Sequence, residues 1–122
     1  MVFKLGTLNH AKGYIINKLF EDHRIGGKHL PMELLPHGYP PKHRSLIREA
    51  YELLRTENPS SLHVEGERTG RDTSAHVSLV PHMIPKMRAL MNGYRKSAGL
   101  QPYGEDLKTL LPLRRSRVTR RP

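Results

Sequence analysis

With 122 residues, 36% of them hydrophobic and none Trp, the chain has material for one small core plus tails, but not for the thick walls of an enclosed substrate cavity. Its 21 Lys and Arg against 11 Asp and Glu, a formal charge of +10, point to a polyanionic partner, since a small acidic substrate needs only one or two cations. Cysteine is absent, which removes disulfides, thiolate zinc sites and cysteine nucleophiles.

Asn9 is the candidate N-cap of a first helix, with Ile15, Ile16, Leu19 and Phe20 inward and Lys12, Asn17, Lys18 and Glu21 outward. That helix is expected to stop near Arg24, punctuated by Gly26 and Gly27. The following KHLPMELLPHGYPPKH is proline-broken: Pro31 can open a helical turn through Met32, Leu34 and Leu35, and Pro36 with Gly38 keeps it short. The strongest helical pattern is SLIREAYELLRTE, which begins past Pro40 and Pro41 and ends at Asn58-Pro59. At ~100° per residue, Leu46, Ile47, Ala50, Leu53 and Leu54 share one arc. Arg44, Arg48, Glu52 and Arg55 share the opposite one, and Glu49 and Glu52 stand at pairing distance from Arg48 or Arg55.

Next comes a finger, SLHVEGERTGRDTSAHVSLV, in which Leu62 and Val64 alternate with His63 and Glu65, and Val77 and Leu79 with His76 and Ser78. Gly66 and Gly70 suit a long turn whose tip carries Arg68 and Arg71. A last helix follows Pro81, with Met83, Ile84, Met87, Leu90, Met91 and Tyr94 at helical spacing and Pro85 in its first turn. Leu107, Leu110, Leu111 and Leu113 are too apolar for a free tail and are expected to pack back on the domain. The end, RRSRVTRRP, holds Arg114, Arg115, Arg117, Arg120 and Arg121 without an acid, half of the net surplus, and is expected to order only against an anionic surface.

The eight histidines are His10, His23, His29, His37, His43, His63, His76 and His82, and no two stand at i, i+4. If Leu62 faces Val77 across the finger, His63 faces His76 within reach of a shared ion, but two ligands without a third make a weak site. No metal and no cofactor is expected. Neither a G-x-S-x-G elbow nor a phosphate loop occurs, so an enzyme is not expected either. No apolar run approaches the ~20 residues of a bilayer span, and MVFKLGTLNHAKGY has no signal-peptide core. The expectation is a cytoplasmic protein without a membrane partner.

The order helix, short helix, helix, two-stranded finger, helix, over about Asn9 to Lys96, resembles the winged-helix variant of helix-turn-helix proteins. GGKHLP, LPHGYPP and the closing strand HVSLVP look like small winged-helix proteins encoded in archaeal genomes. The resemblance implies an α+β, mostly helical fold: a three-helix core, a two-stranded wing and a C-terminal helix. The domain would span residues 9–97, with an extension at 1–8, another at 98–113 and the Arg-rich tail at 114–122. It also implies nucleic-acid binding, with double-stranded DNA first, as in a transcription regulator or chromatin-type protein. Carried over, the third helix would present His43, Arg44, Ser45, Arg48, Glu52 and Arg55, the wing Arg68 and Arg71, with Lys28 and Lys42 flanking the groove. Glu49 and Glu52 beside that face repel phosphates and argue against deep insertion. Winged-helix folds also occur in ribosomal proteins, where Arg-rich tails thread between RNA helices, so structured rRNA in a larger assembly is the alternative partner. A DNA regulator would be expected to form a homodimer, with the Met-rich last helix as its contact, against the reading, at least equal in weight, that this stripe is intramolecular core.

Overall fold

In the computed structural model, which describes residues 2–28, 30–57, 60–65 and 76–104, the first helix, α1, spans Leu8–Glu21. Thr7 rather than Asn9 caps it: the Thr7 hydroxyl accepts from the His10 N–H at 3.3 Å and donates to the Lys4 carbonyl at 2.7 Å. The helix ends on His23 instead of the two glycines. With φ at 59°, His23 lets the Arg24 N–H reach the Leu19 carbonyl at 2.8 Å and its own N–H reach Phe20 at 3.1 Å. Gly26, also left-handed, then turns the chain toward the sheet, where its N–H donates to the Leu79 carbonyl.

A two-residue strand, β1 (Leu30–Pro31), leads into a 3-10 helix, Met32–Gly38, and a second short turn, Pro41–His43, leads into α2 (Arg44–Thr56). The finger strands are β2 (Leu62–Glu65) and β3 (His76–Leu79), and α3 (Ile84–Ser97) closes the order with Pro85 in its first turn. The sheet is antiparallel and ordered β1-β3-β2, so β3 lies in the middle. The third strand is too short to carry a periodicity of its own, which is why the sequence suggests only two. Its register also corrects the histidine pairing. Leu62 opposes Leu79 and Val64 opposes Val77, so His63 faces Ser78, and His76 faces Glu65. A shift of two residues keeps every apolar side chain on the same face, so alternation could not distinguish the two registers.

Helix α1 lies against both other helices, and its buried face of Ile15, Ile16, Leu19 and Phe20 forms the core with Ile47, Leu54, Leu79, Met87 and Met91. Two close approaches depend on glycine: a Cβ at Gly13 would overlap the Leu90 carbonyl oxygen, and one at Gly93 would overlap the Phe3 ring. Met83, Met87 and Met91 are all buried, so of the two readings of the methionine stripe, dimer contact and intramolecular core, the domain uses it as core. Asn17, expected outside, is buried too. Its side-chain oxygen accepts from Arg95 at 3.0 Å, and the same guanidinium meets Glu21 at 2.5 Å.

Past α3 the chain folds back. Gly99 (φ 78°) closes the helix, and Tyr103 then lies 4.2 Å beneath the Arg95 guanidinium with its hydroxyl donating to Glu21 at 2.6 Å. Asn92 exchanges two 2.8 Å hydrogen bonds with the Tyr103 backbone. The fold is thus α+β and mostly helical. No helix among the described residues is long and apolar enough to cross a membrane.

Candidate nucleic-acid interface

Helix α2 buries Ile47, Ala50, Tyr51 and Leu54 and leaves Arg44, Ser45, Arg48 and Glu49 exposed. The inward arc is rotated slightly from the sequence expectation: Tyr51 is 1% exposed, whereas Leu53 is 39% exposed. Between α2 and the 3-10 helix runs a groove of about 510 Å³. Its floor is apolar, with Met32, Leu35 and Ile47, and its rim carries Glu33 on one side and Arg44, Ser45 and Arg48 on the other.

The three arginines of the expected stripe differ in what they already hold. Arg44 donates through Nε to the Tyr39 carbonyl at 3.0 Å and through Nη2 to the His37 carbonyl at 3.2 Å, so its guanidinium clamps the preceding turn. Arg55 pairs with Glu52 at 2.8 Å, one turn back on the same helix. Arg48 makes no ion pair among the described residues and is exposed beside Ser45. Lys28 and Lys42 are exposed as well, whereas neither they nor Arg55 line the groove. His43 is half-buried and stands over Gly6, turned toward the N-terminal segment rather than toward the rim.

Arg68 and Arg71, and likewise Arg114, Arg115, Arg117, Arg120 and Arg121, lie outside the described residues. So do the four leucines at 107, 110, 111 and 113. Among the described residues no three His, Asp or Glu side chains gather into a metal-binding group.

Beneath the start of α2 is a layer that sequence reasoning missed. His10, Tyr14, Tyr39 and Tyr94 pack ring to ring with centroids 4.8 to 5.7 Å apart. The His10 Nδ1 and the Tyr39 hydroxyl are 2.5 Å apart, and the Tyr14 hydroxyl donates to the Leu35 carbonyl at 2.8 Å. Burial pushes the Tyr14 and Tyr39 phenols up to about 12 and raises Tyr94. The available signal was Tyr39 itself, an aromatic between Gly38 and Pro40 just past the segment read as a brief, proline-broken helical turn. No protein-family model, no curated protein and no solved structure matches the chain.

Proposed function

We propose that this is a winged-helix nucleic-acid-binding protein, binding rather than catalytic, that grips double-stranded DNA through α2 and the finger. The observation that carries the reading is the topology. A short strand between the first helix and the 3-10 helix pairs with the closing strand of the finger, and α2 presents an exposed arginine face between them. That is the arrangement in which a third helix can lie on a groove while the finger lies along the backbone. Of the residues expected on α2, Arg48 and Ser45 are the contacts best placed for phosphate, flanked by Lys42. Arg44 serves mainly to hold the turn before the helix. With Glu33, Glu49 and Glu52 close by, the helix sits shallowly and grips backbone more than base edges.

A backbone grip of this kind also suits structured RNA, and the commitment of Arg44 and Arg55 to protein partners favours keeping that second reading. The test is fluorescence-anisotropy titration across a salt series, with duplex DNA and a folded RNA of matched length. Arg48→Ala should lower the log–log salt slope on the true ligand by ~1, and Arg68→Ala with Arg71→Ala by ~2. An unchanged slope in both variants would remove α2 and the finger from the interface. A steeper and tighter response on the RNA would make RNA the partner.

A further inference from the structure

We propose that His10, Tyr39 and Arg44 form a pH-sensitive joint through which protonation of a buried imidazole on α1 loosens the first turn of α2. The proposal rests on the functional reading above only for its consequence, the weakening of nucleic-acid binding. The joint itself stands on geometry.

Tyr39 is held from three directions. Its hydroxyl is 2.5 Å from the His10 Nδ1, its N–H donates to the Pro36 carbonyl at 3.0 Å, and its carbonyl accepts from the Arg44 Nε at 3.0 Å. Arg44 is the first residue of α2, and its other hydrogen bond reaches the His37 carbonyl two residues before Tyr39. A single residue therefore connects the middle layer of the domain, through its hydroxyl, to the helix that bears Ser45 and Arg48, through its backbone carbonyl.

His10 is 5% exposed. The groups that face it are Tyr39 from the turn, Tyr94 from α3 and His43 from the turn before α2, with Tyr14 of its own helix stacked behind Tyr39 and Tyr94. None of these is an acid, and His10 makes no ion pair among the described residues. A neutral ring can keep the Tyr39 contact in either tautomer, as acceptor from the O–H or as donor to the oxygen. Once both ring nitrogens are protonated, only the donor arrangement survives, with a full charge in an uncharged aromatic layer and His43 alongside. A cavity of about 250 Å³ borders His10, Tyr39 and Tyr94, which gives the phenol of Tyr39 somewhere to move.

Burial, and after it the nearby His43, hold the His10 pKa below the ordinary imidazole value. The folded chain thus binds this proton more weakly than the unfolded chain. Stability from the neutral ring is complete above pH ~6.5 and is lost as pH falls through the folded-state value.

The experiment is an NMR titration of the full chain from about pH 7.5 down to about pH 5, following the His10 ring and the Arg44 Nε–H, alongside duplex anisotropy at both ends. In the wild type the Arg44 Nε–H signal should shift or exchange-broaden with the His10 midpoint. It should stay fixed in His10→Gln, which keeps a polar side chain that cannot gain a charge in this range. Duplex affinity should fall several-fold more on acidification in the wild type than in His10→Gln. An Arg44 signal indifferent to His10 titration overturns the joint, and this holds in wild type even if the variant does not fold. If the signal moves as expected but no duplex binds at any pH, the joint stands and the functional reading falls.

Discussion

Tyr14 and Tyr39 show what burial does to a polar side chain that the fold nonetheless needs. Each phenol contributes ring area to the layer under α2 and makes a hydrogen bond through its oxygen, and burial raises each to about 12. Because the folded value lies above the unfolded ~10, the native chain holds the proton more tightly. The associated stability is present in full below pH ~10 and drains as pH climbs toward 12. Alkaline titration should therefore show part of the phenolate absorbance appearing together with loss of helical circular dichroism, above the ordinary tyrosine range. Ionisation of every tyrosine near ~10 with the helix signal intact would contradict it. Arg44, Arg55 and Arg95 make the complementary point. The sequence pattern puts Arg44 and Arg55 on an exposed face and counts Arg95 only in the net charge, yet Arg44 clamps a turn, Arg55 pairs with Glu52, and Arg95 is buried against Asn17, Glu21 and Tyr103. Residue type announces a charge, and only the neighbours decide whether that charge is available.

At the scale of elements, the helices were the legible part. Every α-helix shows in the apolar spacing, and α2 does so most clearly because its two faces differ so strongly in polarity. Their ends were less so: Thr7 and His23 do the capping in place of Asn9 and the glycine pair, because a cap is chosen by local geometry among several competent residues. The α1–α3 contact offers a direct check. In an exposed helix Gly→Ala stabilises by up to ~1 kcal/mol through propensity. At Gly13 the added carbon would strike a backbone carbonyl that cannot swing aside as a side chain can, and overpacking costs ~1 to 3 kcal/mol. The Gly13→Ala variant should consequently be less stable than wild type in urea, by about 1 to 2 kcal/mol net. A variant at least as stable would mean that the two helices separate at little cost.

For the whole molecule the open quantity is how the charge is distributed between domain and tail. Half of the +10 surplus lies in the last nine residues, and the last described aromatic before them, Tyr103, is fixed to the domain by Arg95, Glu21 and Asn92. Deleting Arg114 to Pro122 should weaken duplex affinity and flatten its salt dependence while leaving the preferred sequence unchanged, since such arms contact backbone. Site selection from a random duplex pool, run on both forms, checks this, and an altered base preference would make the tail a groove reader. By itself the sequence determined the α+β, mostly helical character, the positions of the helices, the apolar alternation of the finger and the concentration of arginine at the C-terminus. These are set by local periodicity and composition, which need no partner to be read. The third strand, the finger's register, the assignment of Arg44, Arg48, Arg55 and Arg95 to protein or to solvent and the His10–Tyr39–Arg44 connection were decided only by tertiary structure. Each depends on which residues meet across long stretches of chain, as His10 and Tyr39 do, and the one-dimensional pattern is the same whether they meet or not.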